Sequence, residues 1–248
     1  MTPTPNASLR QPGANAQRDR PRAELSRSRI LAAALDLIDA KGLNAFNMRD
    51  LGSALGASTM GMYRHFRNKS ELLDAVVDHV VGGFAPTPMD GGWQAQARAL
   101  SLRVRAAMLA HPSLANLIGR ELRRSPTSLR VNTQIIERLR AAGVPEPLLP
   151  HTYWAISSYT TGYALLEAQT YQHRNRSGAR TSGTERQRKL AAMLEVVADI
   201  PAEARQSAAA ILSRPLDDDQ FLFGLDCLIR GLDHRFDRLD PAKSQADA

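Results

Sequence analysis

A chain of 248 residues, 43% hydrophobic and only 5% aromatic, is long enough for one or two domains and reads as Ala- and Leu-rich helix. Its single cysteine excludes a disulfide framework or a Cys-cluster zinc site and suits a reducing, cytoplasmic setting. No apolar run approaches the roughly 20 residues of a membrane helix, and the start lacks an apolar signal core, so membrane and secreted classes are set aside.

The net charge of +7 invites an anionic partner, but it is unevenly placed. Residues 1–24 hold four arginines against two acids, and residues 172–190 hold six cations against one acid. Those two stretches account for the whole surplus. The first, rich in Pro, Asn and Gln, reads as a disordered basic arm. The second reads as a flexible loop over 172–188, either a solvated connector or a further anion-binding segment. Total charge therefore says nothing about the body of the protein, and a local patch must carry any nucleic-acid argument.

From Leu25 the pattern turns helical, with Ile30, Ala33, Ala34, Leu37 and Ile38 on one face and Gly42 as the stop. Asn47 is placed to cap a short helix with Leu51, Ala54 and Leu55 inward, ended by Gly56. A second short helix is expected from Ser58 or Thr59 to about Phe66. Asn68-Lys69-Ser70-Glu71 then has the form of a capping box ahead of Leu72, Leu73, Val76, Val77 and Val80. A tight turn at Gly56-Ala57 between two short helices predicts a helix-turn-helix unit over 25–83. Pro86, Pro88, Gly91 and Gly92 place a boundary there, and further helices are expected over 93–109, 126–141, 151–171, 189–197, 202–212 and 220–235. The fold class is all-α, with a helical regulatory domain over 84–238 and a tail at 239–248.

The stretch Thr59-Met60-Gly61-Met62-Tyr63-Arg64-His65-Phe66-Arg67-Asn68-Lys69 holds three fixed cations and no acid, with small or hydroxylic residues at its start. A helix entering the major groove needs that layout: small residues let its N-terminus approach base edges, and cations and hydroxyls hold phosphates. Met62 and Phe66 would face the core, leaving Thr59, Met60, Tyr63 and Arg64 outward. Arg49 is placed for a guanine edge or a phosphate, and Lys69 for a phosphate at the next helix's first turn. By composition alone, a solvated basic turn between core helices fits equally well. The order of parts favours recognition.

In that order, Leu-Gly-Ala-Ser-Thr-Met-Gly-Met-Tyr-Arg-His-Phe-Arg-Asn-Lys-Ser-Glu-Leu-Leu resembles the DNA-binding domain of the Tet repressor family. The segments Gly162–Glu167 and Phe221–Leu232 are similar to the Tet repressor's regulatory domain, so the resemblance spans roughly 25–236. It implies a homodimeric, ligand-responsive transcriptional regulator, a repressor released from a near-palindromic double-stranded operator by a small molecule. Separately, the sequence shows no phosphate loop, nucleophile elbow or His-Glu-x-x-His, so no catalytic residues, cofactor or metal are expected, nor a membrane partner. The resemblance assigns DNA contacts to Arg49, Thr59, Met60, Gly61, Tyr63, Arg64, His65 and Lys69. Gly61 stands where relatives often carry a hydroxyl. It also implies a four-helix dimer bundle, for which Phe221, Leu225, Leu228 and Leu232 form a stripe and Gly224 and Gly231 allow close approach. An ordinary core helix shows the same stripe.

Tetracycline-binding members hold a drug–magnesium complex with histidines, and Phe84 or Ala85 and Ile118 stand at those places here. That argues against tetracycline itself. His111, Trp154, Tyr159, Tyr163 and Glu167 are the expected ligand-binding residues. For His111 a helix cap, and for the Trp/Tyr stripe plain core packing, are the alternatives. The competing reading of the whole chain is an all-helical small-molecule-binding protein or enzyme that no longer binds DNA.

Overall fold

The computed structural model describes residues 25–86, 91–121, 125–176, 183–196 and 199–238, and every regular element among them is helical. The expected basic arm 1–24 and the tail 239–248 lie outside the described residues, as do positions 177–182 of the basic stretch.

Helix α1 (Arg27–Lys41) starts at Ser26, whose hydroxyl accepts from the Arg29 amide, and buries Ile30, Leu31, Ala34 and Ile38. Helix α2 (Met48–Leu55) is capped by Asn47, which accepts from the Asp50 amide at 2.9 Å. Gly56 then adopts a left-handed φ of 61°. Its amide donates to the Ser53 carbonyl, and the Ala57 amide to that of Gly52. This Schellman ending turns the chain sharply into α3 (Thr59–Tyr63).

Regular helix in α3 stops at Tyr63, three residues short of the expected Phe66. The His65 and Phe66 amides both turn back onto the Met62 carbonyl, so the last turn tightens before the extended Asn68 that starts α4 (Lys69–Gly82). Asn68 accepts from the Glu71 amide as expected. The Glu71 carboxylate, however, accepts from the Arg67 amide at 2.7 Å, so the box closes one residue further back than the usual form.

The regulatory half comprises α5 (Trp93–Ala110), α6 (Ala115–Glu121), α7 (Pro126–Ala141), a 3-10 turn at Glu146–Leu148, α8 (Leu149–Arg176), α9 (Gly183–Leu194), α10 (Ala202–Leu212) and α11 (Asp218–Asp237). Two expectations are corrected. The sequence shows no signal for the short α6, which exists because Leu114, Ala115 and Ile118 are buried against other helices. The loop expected over 172–188 is helix at both ends: α8 runs to Arg176, and α9 begins at Gly183. Glu185 pairs with Arg188 and Lys189 at helical spacing, so the charges that suggested a solvated loop stabilise a helix.

The core falls into two clusters. One joins α1–α4 to Met108, Leu114, Ile118, Val131, Ala164 and Ala168, so it runs across the boundary expected near residue 84. The other gathers Trp93, Leu139, Val144, Ile156, Phe221, Leu225, Ile229 and Phe236, with the Trp93 and Phe236 rings 4.9 Å apart. Helix α4 is thus rooted in the regulatory half instead of ending at a linker.

Candidate functional site

The α2–α3 end is built from buried anchors and exposed polar tips. Met62 and Phe66 are fully buried, which turns the opposite side of α3 to solvent: Met60 is 73% and Tyr63 45% exposed. The Ser58 hydroxyl accepts from the Gly61 amide at 3.2 Å and sets where α3 begins. Arg49, Arg64 and Arg67 are exposed, and among the described residues none has an ion-pair partner. Their charge is thus available to an anion.

Lys69 is held more tightly than expected. Its ammonium donates to the Phe46 carbonyl and stands 5.4 Å from the Phe46 ring centroid, which leaves two of its three protons for another acceptor. His65 is half-buried, and its carbonyl accepts from Arg27 at 3.4 Å. The Arg27 guanidinium also lies 4.4 Å from the Phe66 ring centroid, pinning the end of the recognition segment. Nothing in the local pattern around Arg27 marks that role, because its partners are about forty positions away.

Three polar ties connect this end to the regulatory half. Asp39 on α1 meets the His111 ring at 2.7 Å, at the C-terminus of α5. Burial pushes the Asp39 carboxyl up, and the His111 hydrogen bond opposes that rise. Arg103 on α5 donates to the Gly83 and Ala85 carbonyls, capping the end of α4. Thr127 on α7 donates to Asp78 at 3.3 Å.

A cavity of about 310 Å³ lies between α5, α6, α7 and α8. Phe84, two residues past α4, forms part of its wall, with Leu100, Val104, Ile135, Trp154 and Ile156 among the apolar lining and Ser101, Asn132, Ser157 and Thr160 among the polar. The size suits a small organic ligand. Of the five expected ligand residues, only Trp154 lines it.

The other four are engaged elsewhere, which corrects their assignment to this cavity. His111 is the α5 cap bound to Asp39. The Tyr159 hydroxyl donates to the Phe221 carbonyl at 2.8 Å, and that of Tyr163 donates to the Asp217 carbonyl at 3.0 Å. Glu167 forms a bidentate pair with Arg105, both hydrogen bonds at 2.7 Å. Arg105 also donates to Asp218 and sits 4.9 Å from the Phe221 ring centroid. These bonds to Glu167 and Asp218 drive the Arg105 guanidinium above its ordinary range. Ser101, Asn132, Ser157 and Thr160 carry no local motif. The one legible signal is that Thr152, Ile156, Thr160, Ala164 and Ala168 form the buried stripe of α8, an unusually polar one.

A magnesium-chelating site does not fit these residues. Phe84 and Ile118 are buried apolar groups, Glu167 is committed to Arg105, and no group of three or more His, Cys, Asp or Glu gathers among the described residues. Nor is any described helix long and apolar enough to cross a membrane.

Part of the expected dimer stripe faces the chain's own core. Phe221 and Leu225 are fully buried within the chain, and Leu232 packs on the same cluster. Leu228 is half-buried. Gly224 does permit a close approach, but to the Tyr159 ring of the same chain, whereas Gly231 faces open space. On the outer side, Phe223 of α11 and Leu166 of α8 are exposed.

Comparison with known proteins agrees with this geometry. The family described as bacterial regulatory proteins, tetR family, matches residues 30–76, and the tetracyclin repressor-like C-terminal domain matches residues 85–236. The HTH-type transcriptional repressor DrrR1 of Streptomyces coeruleorubidus is 30% identical over 218 residues, covering 86% of this chain and 79% of its own. The crystal structure of Streptomyces coelicolor ActR in complex with actinorhodin superposes with a TM-score of 0.65 at 28% identity, over 85% of this chain and 97% of that one. BioQ with its double-stranded DNA operator is 29% identical with a TM-score of 0.50, over 62% and 93% of the two chains. An exposed recognition segment with no acid from Thr59 to Lys69, rooted in an all-helical cavity domain, and family matches over residues 30–76 and 85–236 place the chain in the tetR family as a ligand-responsive, DNA-binding transcriptional repressor and not an enzyme.

Proposed function

We propose that the protein works as a homodimer on a near-palindromic operator and is released when a small molecule enters the cavity. Each subunit presents α3 to one major groove, with Arg49, Thr59, Met60, Gly61, Tyr63, Arg64, His65 and Lys69 at the DNA. The two subunits meet through the outer faces of α8 and α11, where Leu166 and Phe223 stand exposed. The observation that carries the reading is Phe84, which is at once a wall of the cavity and the continuation of α4.

A ligand that displaces Phe84 acts directly on α4, and Arg103 ties that same end to α5, a second wall. Half-sites lie about 34–36 Å apart, so a shift of a few ångströms between the two α3 helices removes one subunit's contacts. The ligand moves this equilibrium only by the difference in its affinity for the two states.

The test is fluorescence anisotropy with operator fragments recovered from sheared genomic DNA. Arg49→Ala and Tyr63→Phe are expected to weaken binding, Arg49→Ala by roughly tenfold or more if it contacts a base. Lys69→Met is expected to lower the salt slope by about one if the lysine meets a phosphate. Affinity and salt slope unchanged in all three variants would reject DNA reading by α3 and favour a helical small-molecule-binding protein.

A further inference from the structure

Among the described residues, the walls of the cavity carry no Asp, Glu, Lys, Arg or His. What polarity it has is concentrated on α8. Thr160 is 3% exposed, and neither its hydroxyl nor that of Ser157 has a hydrogen-bond partner among the described residues. Serine and threonine inside a helix commonly return their hydroxyl proton to the carbonyl four residues back, as Thr133 does to Leu129 at 2.9 Å. Ser157 and Thr160 make no such bond. They stand three positions apart on one helix, so both hydroxyls belong to the same face of α8.

Buried hydroxyls of this kind need a partner supplied from inside the cavity. A hydrocarbon would leave them unsatisfied. A carboxylate or ammonium would enter without a counter-charge, and desolvation opposes that strongly. A chelated divalent cation would find no carboxylate, because the nearby Glu167 is held on both oxygens by Arg105. A carbonyl oxygen, with two lone pairs, can accept from two donors at once. The Trp154 and Tyr153 rings meet nearly edge to face, 5.1 Å between centroids, and both line the cavity. An aromatic wall of this kind favours a flat ligand.

We propose that the effector is an uncharged, flat, largely apolar carbonyl compound, bound without a metal ion and selected by the Ser157 and Thr160 hydroxyls. This rests on the reading of the cavity as the effector site and names the chemistry that site accepts. Ser157 and Thr160 are the specificity-determining residues, and the surrounding aliphatic and aromatic walls supply most of the affinity without discriminating between ligands of the same shape.

Three probes of matched shape separate the possibilities: 9-fluorenone, fluorene and fluorene-9-carboxylate, titrated calorimetrically into the full-length protein in buffer containing EDTA. A net hydrogen bond is worth roughly two- to tenfold in affinity, so fluorenone should bind about three- to tenfold more tightly than fluorene. The carboxylate should bind at least about tenfold more weakly than fluorenone. Thr160→Val keeps the side-chain shape, and combined with Ser157→Ala it should bring fluorenone and fluorene within about twofold, with fluorene bound no more weakly than by the wild-type protein. A melting curve of the double variant checks that its fold is retained.

Equal binding of fluorenone and fluorene by the wild-type protein would overturn the proposal. So would tightest binding of the carboxylate, or a double variant that keeps the preference. If none of the three probes binds, the cavity itself fails as the effector site, whereas the DNA-binding half of the reading stands or falls separately on the anisotropy measurements.

Discussion

The recognition end and the junction of α5, α8 and α11 both use arginine, to opposite ends. Arg49, Arg64 and Arg67 are exposed and lack an ion-pair partner among the described residues. Arg105, only 5% exposed, spends its guanidinium on Glu167 and Asp218 and packs on Phe221. A cation meant for an anionic partner must stay hydrated until that partner arrives, since an internal carboxylate would compete for it. A cation taken into a core must find its counter-charge inside the fold, because desolvation leaves no other way to keep it ionised. The cavity between α5, α6, α7 and α8 follows a third plan, with no formal charge among the described residues of its walls.

That contrast is breakable, and the largest effect comes from the buried arginine. Arg105→Ala leaves Glu167 without its partner and should cost about 3–5 kcal/mol of stability in urea unfolding. Arg64→Ala should stay within about 0.5 kcal/mol of the parent while weakening DNA binding. Similar stabilities for the two variants would erase the distinction between a structural and an available arginine.

Two glycines sharpen the same comparison with smaller effects of opposite sign. A methyl group on Gly224 would overlap the Tyr159 hydroxyl and come within 2.7 Å of the ring carbon bearing it, so Gly224→Ala should destabilise by about 1–3 kcal/mol. A methyl group on Gly61 would stand 3.5 Å from the Ser58 hydroxyl oxygen and 3.6 Å from Leu25, both ordinary contacts. Gly61→Ala should therefore stabilise by about 0.5–1 kcal/mol through helix propensity. Thermal melts of the two variants check the signs. A lower midpoint for Gly61→Ala would mean that the exposed end is packed as tightly as the interior.

Alkaline pH gives the smallest effect. Burial holds the Tyr159 and Tyr163 phenols above the usual tyrosine value in the folded protein. A group whose folded pKa is raised contributes stability that is complete below the unfolded value, about 10 for tyrosine, and is lost as pH rises through the folded one. Stability should thus fall above roughly pH 10, and Tyr159→Phe with Tyr163→Phe should flatten that decline in pH-dependent urea titrations. An unchanged slope would place both phenols in contact with water.

The helix-turn-helix is legible because its determinants are local. Asn47 caps α2 through the amide three residues on, Gly56 ends it with a backbone only glycine adopts readily, and Met62 and Phe66 lie one helical turn apart. The regulatory half is legible only as helices. A Trp/Tyr stripe on α8 and an apolar stripe on α11 have the same period whether they face a ligand, a second subunit or the core. In the structure Tyr159 and Tyr163 bond to the backbone around the start of α11, and Phe221 and Leu225 turn inward. The charge run at 172–190 misled for a related reason: composition suggested loop, while the spacing of Glu185, Arg188 and Lys189 suited a helix.

By itself, then, the sequence determined an all-α chain, its caps and turns, and the exposed face of a recognition helix, because capping, glycine conformation and helical period act over three or four residues. Only the tertiary structure decided that Glu167 answers Arg105, that His111 answers Asp39, and that Phe84, Asn132 and Thr160 meet around one cavity. Arg105 and Asp218 are 113 positions apart, and Asp39 and His111 are 72. At such separations the pairing is set by how helices pack, and no local pattern records it.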